Sequence, residues 1–322
     1  MAFSGFTTML LTRGPHPEPL PKSGTAVDMF SLALQNFDIS VNFSNPFIGC
    51  IMTYNTYAPS KPLEKYIKYY WTLEHAGTSN PPGPERIFPD GCVELMFHYG
   101  DVFRKYIGGD EVYTQSKSFI HGQLKHFIEV EPTGKIGTLS IRFTPAGLHR
   151  FLPINIDDIT ERDVSVADLW GRSGTLLEEQ IMEAPATAVR IKIVENFLVE
   201  RLTFVHNRQD IIGHCVCAIS TSRGFVSIEK LSGDLNIGKR HLERKFLNAV
   251  GLPPKLFTRI IRFQHALNVL DKRPKGTLTE LAYDMGFYDQ SHFIKDFKEF
   301  TGLNPKQYFV SDLEFAKHLL TP

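Results

Sequence analysis

The sequence predicts an α+β chain: a β-rich N-terminal domain of sandwich or barrel-like form, a helical linker, and an all-α C-terminal module. Three observations carry this. Between Tyr54 and about Gly171, short segments alternate apolar and polar residues and break at turns. From Leu176 to about Ile219 the chain reads as helix throughout. In the last third, one short pattern occurs twice, starting at Leu231 and again at Leu281.

At 322 residues and 42% hydrophobic content, the chain has length for two domains plus connections and apolar material for real cores. No stretch approaches the ~20 apolar residues that span a bilayer. The first ten residues lack Lys and Arg, so Met9 to Thr12 does not read as a secretory signal. Four cysteines, Cys50, Cys92, Cys215 and Cys217, are too few and too irregularly spaced for a disulfide scaffold or a zinc cage. His214-Cys215-x-Cys217 has the form of a metal clip, but it lies in the apolar run Ile211 to Ile219, where small buried cysteines are common. No metal and no cofactor is expected, and the whole suits a reduced, cytoplasmic protein with no membrane partner.

Residues 1–51 carry the proline-rich stretch Gly14-Pro15-His16-Pro17-Glu18-Pro19-Leu20-Pro21, which holds neither a helix nor a sheet ladder. Met52 immediately precedes the first well-patterned segment. The expectation is a mobile leader, an over-extended gene start included, so that a chain starting at Met52 keeps its function.

Residues 52–173 form the β-rich domain. Leu63 to Leu73 is rich in aromatics and ends in Tyr69-Tyr70-Trp71; Gly77 to Gly83 reads as a loop, and Pro89-Asp90-Gly91 as a strong turn. In the strand after it, Val93, Leu95, Phe97 and Tyr99 lie on one side and Cys92, Glu94, Met96 and His98 on the other. Val102 to Ile107, Phe127 to Val130 and Ile136 to Phe143 have similar strand character. In the last of these, Leu139, Ile141 and Phe143 oppose Ser140 and Arg142. Asp90, Cys92, Glu94, His98, His121 and Arg142 invite a catalytic reading, since a Cys with a His partner is a nucleophile. No elbow, P-loop or metal spacing supports it, so no catalytic residue is assigned. A pocket for a small effector is the preferred reading, with Glu94, His98 and Arg142 as its polar contacts if their faces point inward; the alternative is that they face water or pair with each other.

Residues 174–222 are the helical linker. Val189, Ile193, Phe197 and Glu200-Arg201-Leu202 form a stripe to pack on a second copy of the chain or on its own sensor domain. Such an element would carry ligand-driven shifts onward.

Residues 223–322 hold the duplication. One copy reads Leu231-Ser232-x-Asp234-Leu235-Asn236-Ile237, His241-Leu242-Glu243-Arg244-Lys245-Phe246 and Gly251-Leu252-Pro253-Pro254-Lys255. The other reads Leu281-Ala282-x-Asp284-Met285-Gly286-Phe287, His292-Phe293-Ile294-Lys295-Asp296-Phe297 and Gly302-Leu303-Asn304-Pro305-Lys306. Each predicts a helix, a tight turn and a second helix, over about 227–249 and 278–300. Asn236 and Gly286 stand where the turn needs a left-handed residue. Ile237 and Phe287 plug the gap between helices, and Leu242 with Phe246, or Phe293 with Phe297, form the stripe to bury. Thr277 with Glu280 has the form of a capping box, and Asp289 is a good N-cap.

Burying those stripes fixes the outer faces by geometry. The first carries Lys239, Arg240, Glu243 and Arg244; the second carries Gln290, Ser291, Ile294, Lys295 and Lys298. Arg forks onto guanine, Gln onto adenine, Glu accepts from cytosine and Ile touches a thymine methyl, so these faces suit base edges. The bland alternative is solvated helix faces with a Lys239–Glu243 pair. Charge is unevenly divided: from Arg223 onward there are 16 basic and 11 acidic residues, against 19 and 24 before it. A basic module on an acidic partner favours phosphate attraction.

The stretch from about Gly224 to Phe309 resembles the AraC/XylS-type DNA-binding module. The residues that carry this are His241-Leu242-Glu243-Arg244-Lys245-Phe246, Gly251-Leu252-Pro253-Pro254, and Gly286-Phe287-x-Asp289-Gln290-Ser291-His292-Phe293 with Phe297-Lys298, Gly302 and Pro305. The resemblance implies two reading helices in successive major grooves of double-stranded DNA, spaced by the Leu256 to Leu270 helix. It places base contacts on Arg240, Glu243 and Arg244 and on Gln290, Ser291, Ile294 and Lys295. Asn236 stands where the family usually has Gly, and Ser232 where it usually has Ala. Phe88-Pro89-Asp90-Gly91-Cys92-Val93-Glu94-Leu95, Arg142-Phe143-x-Pro145-x-Gly147 and Leu169-Trp170-Gly171 resemble a sensor-type domain found ahead of such modules. The expectation is a transcription regulator under effector control, a homodimer in one version, with RNA polymerase as a further partner if it activates. A small-ligand enzyme on a DNA tether and a protein-interaction scaffold are the alternatives.

Overall fold

The computed structural model describes residues 40–45, 50–75, 83–107, 111–202, 210–272, 287 and 289–310. The described strands are β1 (Ser40–Asn45), β2 (Cys50–Tyr57), β3 (Ile67–His75), β4 (Glu85–Ile87), β5 (Glu94–His98), β6 (Phe103–Ile107), β7 (Glu111–Thr114), β8 (Ser118–His121), β9 (Ile128–Pro132), β10 (Ile136–Phe143) and β11 (Asp163–Ser165), of which β5, β6, β9 and β10 fall where alternation predicts them. They build a seven-stranded sheet, ordered β1-β2-β3-β10-β5-β8-β11, and a four-stranded sheet, ordered β4-β9-β6-β7. Of the two expected forms it is therefore the sandwich; no barrel closes among the described residues. β1 pairs antiparallel with β2 from Ser40↔Asn55 to Asn45↔Cys50, so the sheet reaches ahead of Met52 into the stretch expected to be a leader.

Both faces of the large sheet are covered. Leu95, Phe97, Leu139, Ile141 and Phe143 pack under helices α1 (Val166–Trp170), α2 (Arg172–Glu183) and α3 (Thr187–Arg201), through Val166, Leu177, Ile181, Val194 and Leu198. Trp71, Leu73 and Ile136 face the small sheet's Phe103, Ile128 and Val130. Every residue of β10 is buried, including Ser140 and Arg142, because the second sheet covers the face that alternation makes polar. Phe197 packs on its own domain, edge-on to Trp170 at 5.1 Å between ring centres, which selects the intramolecular version of the linker stripe for that residue. Glu195 anchors α3 to the sheet by accepting from Ser60 N at 2.8 Å and Tyr70 Oη at 3.2 Å.

The C-terminal core gathers α4 (Ile211–Thr221), α5 (Ile228–Asp234), α6 (Lys239–Val250), α7 (Pro254–Lys272), α8 (Gln290–Thr301) and α9 (Pro305–Val310). Phe246, Phe257, Phe263, Phe293, Phe297 and Phe300 are each at most 1% exposed there. At the metal-clip positions Cys215 is buried in this core while His214 and Cys217 are exposed, so the three side chains do not converge.

Candidate nucleic-acid interface and effector cavity

The first helix-turn-helix unit forms as the residues require. Ser227 caps α5 by accepting from Lys230 N at 3.1 Å. Asn236 takes the left-handed backbone expected of it, at φ 49°. Ser232 Oγ donates to the Ile237 carbonyl at 2.7 Å and holds the turn. Leu242 and Phe246 bury the inner stripe of α6, and Gly251 ends the helix at φ 85°. Outward, Lys239, Arg240 and Arg244 are exposed and Glu243 is half-buried. Lys239 pairs with Glu229 on α5, ten residues back, and not with Glu243 as the solvated-face reading expected. Arg244 reaches His241 Nδ1 at 3.2 Å, and Arg240 engages no partner among the described residues.

In the second unit, Asp289 caps α8 by accepting from His292 N at 2.7 Å. Phe287 packs on Phe293 with ring centres 5.2 Å apart, and Phe293 and Phe297 are fully buried. Ser291, Lys295 and Lys298 are exposed, and Gln290 is half-buried. Ile294 is also half-buried and packs against the core, so it shares its surface between the fold and the outer face. The helix expected to precede it, with Thr277, Glu280, Ala282, Asp284 and Gly286, lies outside the described residues. Between the units runs α7, whose Arg259 clamps α8 by donating to Asp296 at 2.7 Å and Glu299 at 2.7 Å. Sequence periodicity missed this clamp, since it joins two helices across their flanks.

The sandwich encloses a cavity of about 90 Å³, walled by Trp71, Phe103, Leu124, Ile128 and Val130, with Glu94 and Arg142 among its polar groups. Those two residues are neighbours across β5 and β10. Arg142 pairs with both Glu94 and Asp90. Burial pushes the Glu94 carboxyl up to about 7, against the pull of hydrogen bonds from Ser140 and Trp71 and the charge of Lys68. His98, the third expected contact, does not line the cavity. It is 1% exposed, bonded to Thr138 Oγ1 at 3.1 Å and Gln115 Oε1 at 3.3 Å, and stacked on Phe103. Desolvation drops its pKa to about 4. Burial also raises the Cys92 thiol, which suits a structural cysteine better than a nucleophile.

One segment touches both halves of the molecule. Asp90 accepts from Cys92 N at 2.8 Å and makes the predicted turn, with Gly91 at φ 77°. Phe88 enters the C-terminal core against Phe263 and Tyr308, at 6.4 and 6.2 Å between ring centres. Gln264 donates to the Pro89 carbonyl at 2.6 Å, and Arg86 to the Thr301 carbonyl at 3.1 Å. A Cβ on Gly91 would meet the Phe257 ring at 2.5 Å, so glycine is required there on two grounds. Arg86, Phe88, Asp90 and Cys92 also line the cavity. Nothing in a periodic pattern marks Phe88 as a wedge.

Comparison with known families now places the C-terminal module. Residues 231–310 match the family described as Helix-turn-helix domain. This part of the chain is an AraC-type helix-turn-helix domain. Residues 55–165 match a Domain of unknown function (DUF6597). The chain is 37% identical over 82 residues to the HTH-type transcriptional regulator MtrA of Neisseria gonorrhoeae, covering 26% of this chain and 27% of that protein. It is 32% identical over 83 residues to an uncharacterised HTH-type transcriptional regulator of Staphylococcus aureus, covering 26% of this chain and 11% of that one. The chain thus spans about a quarter or less of the length of these relatives. Among solved structures, ToxT from Vibrio cholerae aligns at a TM-score of 0.40 and 13% identity, over 71% of this chain and 97% of that one. No helix among the described residues is long and apolar enough to cross a membrane.

Proposed function

We propose that the chain is a sequence-specific DNA-binding transcription regulator in which a small effector in the sandwich cavity biases the AraC-type helix-turn-helix domain. The carrying observation is that α6 and α8 each bury an apolar stripe on one core and turn cations outward: Lys239, Arg240 and Arg244 on one, Lys295 and Lys298 on the other. Arg240, Glu243, Arg244, Gln290, Ser291, Ile294 and Lys295 take the base-reading roles, with Lys239 and Lys298 at the phosphates. Effector control is supported by the segment Arg86 to Cys92, which is cavity wall on one side and wedge in the C-terminal core on the other. The regulator works in the cytoplasm, touches RNA polymerase if it activates, and has no catalytic step assigned to it. Binding to a pool of random-sequence duplexes, followed by fluorescence anisotropy against rising salt, tests the reading. Affinity that falls steeply with salt and survives excess non-specific duplex supports it. Equal affinity for every duplex, or none, overturns it.

A further inference from the structure

Polar groups around the cavity are not equally committed. Across β10 and β5, Arg142 is held by the carboxyl groups of Glu94 and Asp90, and Glu94 also accepts from Trp71 Nε1 at 3.2 Å and Ser140 Oγ at 2.6 Å. That cluster holds its cation between two carboxyl groups, so it offers no free cation to neutralise an acid. On the neighbouring strand β8, directly opposite Glu94 in the register, His121 lines the cavity. Its Nδ1 lies 2.5 Å from Asp163 Oδ1 and 3.4 Å from Lys105 Nζ, so the shorter contact puts the ring proton on Nδ1, donating to Asp163. Lys105, fully buried, donates to the same Asp163 oxygen at 2.8 Å, and Gln115 donates to the other at 2.9 Å. Every member of this network is satisfied except His121 Nε2, which is buried and has no hydrogen-bond partner among the described residues. It is left as an acceptor lone pair, and a buried acceptor without a partner destabilises the fold until a donor meets it.

We infer that the cavity takes an uncharged molecule about the size of one ring, with an apolar body against Trp71 and Phe103 and one hydroxyl donating to His121 Nε2. This deepens the effector reading above and rests on it. The size follows from volume: a void of ~150 Å³ takes benzene, so a ring in 90 Å³ must push a wall outward. Strands β3, β5, β9 and β10 are laced by ladder hydrogen bonds, whereas Phe88 to Cys92 lies outside any strand. Leu124 lies outside any strand as well; of these two unladdered parts of the wall, Phe88 to Cys92 is the one that carries Phe88 into the core of the helix-turn-helix domain, so an outward push there reaches it.

Calorimetric titration of the full chain with p-cresol, 4-methylanisole and p-toluate tests this, repeated on His121→Phe. p-Cresol is expected to bind about tenfold or more tighter than its methyl ether, and p-toluate not measurably. His121→Phe is expected to bring cresol and ether level. The inference is overturned if the ether or the acid binds as tightly as cresol, if nothing binds, or if His121→Phe leaves the preference intact. The wild-type series decides the matter even if that variant fails to fold. Duplex affinity measured with and without cresol separates the two claims: cresol binding with unchanged duplex affinity leaves the site standing and removes effector control.

Discussion

His98 illustrates how a residue type misleads and its surroundings correct it. A histidine beside a glutamate and an arginine suggests a ligand contact, yet its ring is packed between Phe103 and Phe119 and bonded at both nitrogens. Its folded pKa of about 4 lies below its ordinary 6.5, so the unfolded chain binds the extra proton between those values. Stability tied to His98 is therefore full above pH 6.5 and is lost as pH falls toward 4, by about 3 kcal/mol over the window. Glu94 works in the opposite sense, since a carboxyl raised from 4.5 to about 7 lets the fold gain stability as pH drops across that range. The informative quantity is thus the difference between wild type and His98→Gln. Chemical denaturation at pH 7 and pH 4.5 is expected to show wild type losing more stability than the variant; parallel curves would mean that His98 is not buried neutral.

At the scale of elements, much was legible and the remainder has a common cause. Strand β10 occupies Ile136–Phe143 as alternation predicts, the Asp90 turn forms, and the stripes Leu242 with Phe246 and Phe293 with Phe297 are buried as their spacing requires. Periodicity reads which residues share a face but not what will cover that face. So alternation left open whether the polar side of β10 meets a pocket or water, which the second sheet decides, and Lys105 escaped notice although it shares an inward face of β6 with Phe103. Long-range side-chain pairs are silent for the same reason. Arg259 is the case with a functional consequence: it ties α8 to α7 through Asp296, which is buried, and Glu299. Removing it should cost about 2 kcal/mol, less than a fully buried pair because Arg259 itself is 27% exposed. Since α8 then loses its fixed angle, Arg259→Ala is expected to blur base preference only where α8 docks. Unchanged preference at every position, with the stability loss present, would show that α8 is oriented by apolar packing alone.

Across the whole molecule the charges sum to zero, with 35 basic and 35 acidic residues. Duplex affinity therefore has to come from where the cations sit, with the acidic N-terminal part opposing non-specific attachment. Two cores meet at the wedge of Phe88, and Thr160 Oγ1 adds a bond to the Gly251 carbonyl at 2.7 Å, at the end of α6. Helices α6 and α8 are thereby tied, α8 by way of α7, to the domain that holds the cavity. The claim beneath all of this is that α6 and α8 read separate grooves. Selection of bound sequences from random duplex DNA, with wild type, Arg244→Ala and Lys295→Ala, measures it directly. The account predicts a two-part site whose halves lie about one helical turn (~34 Å) apart, with Arg244→Ala relaxing one half and Lys295→Ala the other, each by about 1–3 kcal/mol of discrimination. Uniform weakening that leaves the selected sequence unchanged in both variants would contradict it and leave these residues as phosphate contacts only.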